Sequence, residues 1–239
     1  MSTIRTLLSK TFLKRFMYRH SFMVSQIGQE YWVFGEAFNE KKHGYFLDIG
    51  AHDGVHLSNT YLLESKYNWS GICIEANPVT FKKLKRNRRA ECLNICLDRS
   101  EGEVNFVLRG EMGGIVDQDL DNKESHTINN KVIKLKTMSL NRVLGDKNEL
   151  NSIDYLSIDA EGAEERILAE FDFHKYTFKC ITIERPSKLL QKLFQSHGYI
   201  KIKENPDMDF FYVHQTFIKE YKKNLRDFYR KKYLKIRWR

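Results

Sequence analysis

From residue 44 onward, short apolar runs alternate with stretches in which apolar residues recur at helical spacing. The runs lie at residues 44–49, 71–75, 93–97, 104–108, 153–158 and 180–184. The stretches between and after them lie at residues 58–66, 78–88, 139–144, 163–171 and 187–197. Short apolar runs predict buried strands, and the helical spacing predicts amphipathic helices. This alternation predicts an α/β fold with a mostly parallel, doubly wound sheet.

The flanking regions divide the chain into three parts. Residues 1–40 predict a basic helix at 3–18 and a cap helix at 26–39, and residues 41–216 form the α/β domain. Within that domain, two apolar runs at 199–203 and 210–214 predict an antiparallel edge hairpin, and the polar segment 109–130 predicts a loop or lid. Residues 217–239 predict a basic amphipathic tail.

Charge is unevenly distributed along the chain. The formal net charge is +9, but residues 1–20 carry +5 and residues 219–239 carry +8, which leaves −4 for the remainder. The two ends therefore carry the basic character, whereas a nucleic-acid-binding domain would be basic throughout. A basic amphipathic helix suits an anionic membrane surface, so such a surface is an expected partner and nucleic acid is disfavoured.

The four cysteines do not form a Cys-x-x-Cys pair, and Cys73 and Cys180 lie in predicted strands. They are expected to be reduced core thiols, which are typical of a reducing compartment. The basic N-terminus lacks the apolar core of a signal peptide, and no apolar run is long enough to span a membrane. A cytoplasmic location, peripheral to the inner face of a membrane, is therefore predicted.

Carboxylates follow the predicted strands at their carboxyl ends. They are Asp48, Glu75, Asp98, Asp159 and Glu184. Parallel strands place such residues along one edge of the sheet, where ligands bind in doubly wound folds. Glu75 lies 27 residues after Asp48, at the end of the next strand, where its carboxylate can accept hydrogen bonds from a ribose diol. Asp98 lies 23 residues further, at the end of the third strand, and can contact an adenine amino group.

Residues 48–54 form a tight turn after the first strand. Gly50 allows the backbone to bend and a ligand to approach, while Asp53 and Gly54 widen the turn. The third glycine of a dinucleotide fingerprint is absent, so no pyrophosphate need be held.

The sequence resembles the FkbM-type methyltransferases. The matching stretches are residues 25–30, 46–54, 58–61, 69–78, 153–164 and 181–184. The resemblance implies a Rossmann-like class I methyltransferase fold, S-adenosylmethionine as cofactor and a hydroxyl acceptor. It also implies cofactor-binding roles for Asp48, Gly50 and Asp53 at the methionine, Glu75 at the ribose and Asp98 at the adenine. Gln26 and Ser58 are implied as lesser contributors.

Transfer of a methyl group to an alcohol requires alignment and removal of the hydroxyl proton. Asp159 and Glu161, which are expected to lie beside the turn at residues 48–54, are candidate general bases. Alternatively, Asp159 and Glu184 can hold Mg²⁺ or another hard divalent cation, which would lower the pKa of the acceptor hydroxyl. Asp159, Glu161 and Glu184 are therefore the candidate catalytic residues, and Asp159 and Glu184 the candidate metal ligands.

Several of the related methyltransferases modify sugars of surface polysaccharides, so the expected acceptor is a sugar hydroxyl of a glycan or lipid-linked oligosaccharide. Two alternatives remain open. One is a small-molecule, macrolide-type O-methyltransferase. The other is an RNA-binding protein or RNA methyltransferase that uses the basic ends, although the Asn-Pro-Pro-Tyr-type motif of many base methyltransferases is absent.

Overall fold

The computed structural model describes residues 24–118, 120–122, 131–145, 147, 150–205 and 208–237, with the side chains of 233–237 excepted. The helix predicted at residues 3–18 lies outside the described residues, as do residues 119 and 123–130 of the predicted lid.

Strands account for the centre of the domain. Those within the described residues are β1 Tyr45–Ile49, β2 Ser70–Ile74, β3 Glu91–Leu93, β4 Cys96–Leu97, β5 Gly102–Leu108, β6 Lys131–Met138, β7 Ser152–Ile158, β8 Thr177–Glu184, β9 Tyr199–Glu204 and β10 Asp209–His214. Seven of them form one sheet in the order β3-β2-β1-β7-β8-β10-β9. All neighbours are parallel except β10, which is antiparallel to both β8 and β9. The predicted doubly wound sheet with an antiparallel edge hairpin is therefore confirmed.

Helices connect the strands. They are α1 Gln29–Tyr31, a π-helix at Trp32–Ala37, α2 Tyr61–Tyr67, α3 Pro78–Asn87, a 3₁₀ turn at Gly110–Met112, α4 Leu140–Gly145, α5 Glu164–Leu168, α6 Lys188–Ser196 and α7 Ile218–Arg237. Side chains cap the N-termini of two helices. Asn77 accepts a hydrogen bond from Val79 N at α3, and Ser187 accepts one from Leu190 N at α6. These caps fix where α3 and α6 begin relative to the strand ends before them.

One predicted strand is wrong. Residues 93–97 are not continuous, because β3 ends at Leu93 and β4 begins at Cys96 in a second sheet of order β4-β6-β5. The side-chain amide of Asn94 donates to the backbone carbonyls of Glu75 (2.7 Å) and Ala76 (3.0 Å), so the chain turns away at this point. The partner strand β6 was not predicted.

Both faces of the main sheet are buried. Along β1, Phe46 belongs to one hydrophobic cluster and its neighbour Leu47 to the other. Tyr155 and Leu156 alternate in the same way on β7. Successive side chains of a strand point to opposite faces, so this alternation places a core on each side of the sheet.

The C-terminal helix α7 covers one of these cores. Phe217, Tyr221 and Phe228 are buried, and the ring of Phe228 meets that of Tyr31 at 5.5 Å. A Cβ on Gly35 would lie 2.5 Å from Phe228 Cζ, so a glycine is needed for this close approach. The apolar side of the predicted tail thus packs against the domain. Within the described residues, none of the helices combines the length and hydrophobicity required of a membrane span.

Candidate functional site

The turn after β1 meets the end of β7 at the carboxyl edge of the sheet. The backbone amides of Gly50 and Ala51 both donate to Ile74 O at 3.0 Å, and Asp159 N donates to Ile49 O at 3.0 Å. Gly50 has φ +79°, and a Cβ there would lie 1.7 Å from Asp159 O. Only glycine fits this position, because a side chain would be strained and would push β7 away.

Two adjoining clefts open at this edge. The first, the apolar cleft, is lined largely by Ile95, Leu97, Phe106 and Ile115, with Glu75 at its side. The second, the acidic cleft, has a volume of about 240 Å³ and a largely polar lining. The residues common to both linings are Gly50, His52, Glu111, Asp159 and Glu161. The clefts therefore meet directly above the glycine turn.

Glu75 is fixed beside the apolar cleft. It is 8% exposed, and its two carboxylate oxygens accept hydrogen bonds from His52 N at 2.8 Å and Asn77 N at 2.7 Å. Burial raises the pKa of Glu75, and the two backbone donors oppose that effect. Each carboxylate oxygen can accept more than one bond, so both can still receive donors from a ligand diol.

Asp48 lies deeper, in the wall of the acidic cleft. Thr60 Oγ1 donates to its carboxylate at 2.5 Å, and Arg88 Nη1 lies 3.9 Å away. Burial raises the pKa of Asp48, while the positive charge of Arg88 lowers it.

Arg88 is a fully buried cation that the sequence did not identify. It donates to Glu64 at 3.1 Å, Gly54 O at 3.2 Å and Thr60 Oγ1 at 2.9 Å, and its side chain has no exposed surface. These bonds tie α3 to the whole turn between β1 and α2. In the sequence Arg88 follows a run of surface lysines, so nothing distinguishes it from them.

Ser58 and Asp53 shape the same turn differently. Ser58 is buried, lines the acidic cleft, and accepts a hydrogen bond from Tyr61 N at 3.1 Å at the start of α2. Asp53 accepts bonds from Val55 N (2.9 Å) and His56 N (2.8 Å), which lower its pKa against the opposing effect of burial. Asp53 lines neither cleft, so its contribution is to the backbone of the turn.

Gln26 reaches the acidic cleft from the segment before α1. That segment is held by Glu30, which is fully buried and accepts bonds from Val24 N (2.6 Å) and Ser25 N (2.9 Å). Ser25 also forms an isolated β-bridge with Leu57, beside the turn at residues 48–54. Glu30 therefore anchors the segment that carries Gln26, a role that the sequence pattern did not indicate.

Three carboxylates converge at the ends of β7 and β8. One oxygen of each of Asp159, Glu164 and Glu184 lies within 4.8 Å of the others. The Asp159 side chain faces the open cleft, yet loss of hydration and the charge of Glu184 raise its pKa well above the usual range. Burial raises the pKa of Glu164 to about 7, against hydrogen bonds from Ala160 N and Gly162 N.

Glu161 lies next to this cluster in a left-handed conformation, with φ +53°. Burial first, and then the charges of Glu184 and Asp121, raise its pKa to about 7. Arg185 lies across the cluster, with its guanidinium 3.1 Å from Glu184 and 2.7 Å from Asp121. The candidate catalytic residues Asp159, Glu161 and Glu184 therefore do come together.

The acidic cleft carries a surplus of negative charge. Its carboxylate lining consists of Asp48, Glu111, Asp159, Glu161 and Glu184. No lysine or arginine lines it among the residues that the structure describes, although His52 and His56 do. Such a cleft favours a cationic ligand over an anionic one.

The model of the Methyltransferase FkbM domain family matches residues 48–201, well over half of the chain. The chain belongs to this family. No curated protein matches the sequence. The matched region runs from Asp48 through both acids at the ends of β7 and β8, whereas Gln26 and Glu30 lie before it.

Two solved structures resemble this FkbM-domain methyltransferase. The methyltransferase domain of METTL16 has a TM-score of 0.43 and 12% identity, over 77% of this chain and 64% of that one. A human methyltransferase 10 domain containing protein has a TM-score of 0.40 and 11% identity, over 80% of this chain and 84% of that one. The chain thus spans less than two thirds of the METTL16 domain.

The expected position of Asp98 needs correction. Because residues 93–97 form two strands, Asp98 follows β4 in the small sheet instead of the third strand of the main sheet. Its carboxylate lines neither cleft and receives two bonds from Arg166, at 2.9 Å and 2.6 Å. In this FkbM-domain methyltransferase the apolar cleft is bounded instead by Ile95 and Leu97.

Proposed function

We propose that this protein is an S-adenosylmethionine-dependent O-methyltransferase that acts on a sugar hydroxyl of a glycan or lipid-linked oligosaccharide. The observation that carries the donor assignment is the acidic cleft, which carboxylates line and to which no lysine or arginine of the described residues contributes. S-adenosylmethionine carries a sulfonium and an ammonium, which such a cleft attracts. The pyrophosphate of a dinucleotide would be repelled.

The lining residues fit the parts of this donor. Ile95, Leu97 and Phe106 offer apolar surface for an adenine ring, and Glu75 offers two acceptors for a ribose diol. Gln26, Asp48 and Ser58 would surround the methionine portion. When bound, S-adenosylmethionine supplies an electrophilic methyl group, and the glycine turn allows it to lie close to the backbone.

Glu161 is the best candidate for the general base. Its pKa of about 7 means that it is largely ionised at slightly alkaline pH and still basic enough to accept a proton from a hydroxyl. Asp159 lines both clefts together with Glu161 and would orient the acceptor hydroxyl.

The carboxylates Asp159, Glu164 and Glu184 also fit a divalent cation. Their oxygens lie within 4.8 Å of one another, and Mg²⁺ prefers oxygen ligands. A cation held there would neutralise the surplus charge and acidify a hydroxyl that it contacts. Glu164 would be a third ligand beside Asp159 and Glu184, the two ligands expected from the sequence.

A third cleft, of about 500 Å³, supports a polyhydroxylated acceptor. It adjoins the acid cluster through Glu164 and Glu184 and is also lined by Arg99, Arg185 and Ser187. Interspersed carboxylates, guanidinium groups and hydroxyls offer both acceptors and donors, which a sugar with many hydroxyls can satisfy.

Calorimetry tests the donor. S-adenosylmethionine should bind to the full chain, and NAD should not. Glu75→Gln should weaken donor binding about tenfold or more, because one ribose acceptor becomes an amide, at roughly 1.4 kcal/mol per factor of ten. Glu103→Gln, on the exposed side of β5, is the matched control and should bind like the wild type. Absence of donor binding, or stronger NAD binding, would overturn the assignment.

Methyl transfer to glycans tests the acceptor. Mass spectrometry should detect additional methyl groups on surface glycans of cells that express the protein, and none with Glu161→Gln. With an acceptor identified, kcat/KM should rise with pH and level off above about 7 in the wild type. Methylation of RNA or of a macrolide in place of a glycan would establish one of the alternative functions.

Chelation tests the metal. Excess EDTA should abolish turnover, Mg²⁺ should restore it, and donor binding should survive the treatment. A second measurement is independent of turnover: Mg²⁺ should raise the melting temperature of the wild type and not of Glu184→Gln. Full activity in EDTA would exclude the metal and leave Glu161 as the base.

A further inference from the structure

The solvent side of α7 carries a row of exposed cations. They are Lys219, Lys222, Lys223, Arg226 and Arg230, and we call them the basic face. Lys219, Lys223, Arg226 and Arg230 are three or four residues apart, and Lys222 lies beside them three residues after Lys219, so all five lie on one side of the helix. The row covers residues 219–230 of this helix, which is about 18 Å at about 1.5 Å per residue.

The opposite side of α7 is already occupied. Tyr221 packs on Trp32 with ring centroids 6.3 Å apart, and Phe228 packs on Tyr31 and Phe34. Asn224 adds a hydrogen bond to Ala37 O at 2.8 Å. Because Tyr221 and Phe228 are committed to the core, the described part of this helix cannot insert them into a bilayer without leaving the domain.

The charges of the basic face lack acidic partners. Across the described part of the chain, no carboxylate lies within 4.0 Å of any of the five cations, although Glu220 and Asp227 are on the same helix. Elsewhere exposed lysines do form such pairs, as Lys134 does with Glu103 at 2.8 Å. The basic face therefore presents its positive charge to the solvent.

We propose that the basic face binds an anionic membrane surface by electrostatics alone, without insertion. A straight row of cations on a convex helix matches a planar array of phosphate groups. Single-stranded RNA is less suitable, because it is bound by exposed aromatic platforms. Of the described aromatic residues of α7, Tyr221 and Phe228 are buried, and Tyr229 is partly buried and donates to Glu36 at 2.6 Å. The proposed membrane binding depends on α7 and is independent of the methyl donor and acceptor.

Sedimentation of the full chain with vesicles tests the proposal. The protein should sediment with phosphatidylcholine–phosphatidylserine vesicles and stay in solution with phosphatidylcholine alone. Screening shortens the reach of charges from about 10 Å at 0.1 M salt to about 3 Å at 1 M, so binding should be lost as salt rises. Binding that persists at high salt, or that occurs on neutral vesicles, would mean insertion and would overturn the proposal.

A pair of matched variants localises the surface. Each Lys or Arg near an anionic membrane strengthens binding about fivefold. Lys222→Gln with Lys223→Gln should therefore weaken binding about 25-fold. Lys82→Gln with Lys83→Gln removes two exposed lysines from α3, so both variants change the formal charge from +9 to +7. The α3 variant should bind within about twofold of the wild type.

The outcomes discriminate between the alternatives. Equal loss in both variants would show that net charge, and not the basic face, governs binding. Retention of vesicle binding in the α7 variant would also overturn the proposal. If the α7 lysines instead govern binding to an RNA oligonucleotide, with no binding to vesicles, nucleic acid is the partner. Circular dichroism of both variants should match the wild type, since all four replaced lysines are exposed.

Discussion

Glu164→Gln should change how the stability of the protein depends on pH. Glu164 is 6% exposed and accepts a bond from Ala160 N at 2.6 Å, which the amide oxygen of glutamine can also accept. The substitution keeps the shape of the side chain and removes its ionisation. Its effect therefore isolates the energetic cost of a carboxylate buried beside Asp159 and Glu184.

The sign and size follow from the pKa. Burial raises the pKa of Glu164 from 4.5 to about 7, so the folded protein holds this proton more tightly than the unfolded chain does. Stability from the protonated group is fully present below pH 4.5 and is lost as pH rises through about 7. At about 1.4 kcal/mol per pKa unit, the loss is about 3 kcal/mol in free energy of unfolding.

Urea unfolding at about pH 5 and about pH 8 measures this loss. The variant should gain about 3 kcal/mol relative to the wild type between the two pH values. Asp159 and Glu161 also have raised pKa values, so the variant should keep part of the wild-type slope. Glu103→Gln is the control and should follow the wild type. Parallel unfolding free energies for wild type and variant would refute the reasoning.

Three further substitutions test the supports of the site. Gly50→Ala should abolish donor binding in calorimetry, because its Cβ would lie 1.7 Å from Asp159 O; wild-type affinity would contradict this. Arg88→Met removes the buried cation beside Glu64 and Asp48 and should cost about 3–5 kcal/mol in urea unfolding. Phe228→Ala should also cost about 3–5 kcal/mol and detach α7. If either variant loses less than about 1 kcal/mol in free energy of unfolding, the burial of the side chain that it replaces would be contradicted.

The main sheet was predictable because its strands are buried on both faces and read as short apolar runs. The carboxyl edge followed from that prediction, since parallel strands place their final residues together. Asp48, Glu75, Asp159 and Glu184 do lie along this edge, and each of them lines at least one of the two clefts. The chemistry-bearing residues were thus found by their position relative to strand ends.

Two features depended on contacts that are distant in sequence. The break after β3 arises from Asn94 bonding to the carbonyls of Glu75 and Ala76, and an asparagine in an apolar run gives no sign of this. The pairing of β4 with β6 joins residues about 40 positions apart. The alternation of Ile133 and Leu135 with lysines favours a strand at β6 but does not indicate its partner. The burial of Arg88 is likewise visible only in three dimensions.

The distribution of charge connects the site to the rest of the molecule. The basic ends together exceed the net charge of the chain, so the body is acidic, and five of its carboxylates line the acidic cleft. None of the described residues of α7 lines either cleft. Burial first, and then the charges of neighbouring carboxylates such as Glu184, raise the pKa values of Asp159 and Glu161. A cationic ligand entering the cleft must lower those pKa values and release protons, so its affinity should increase with pH.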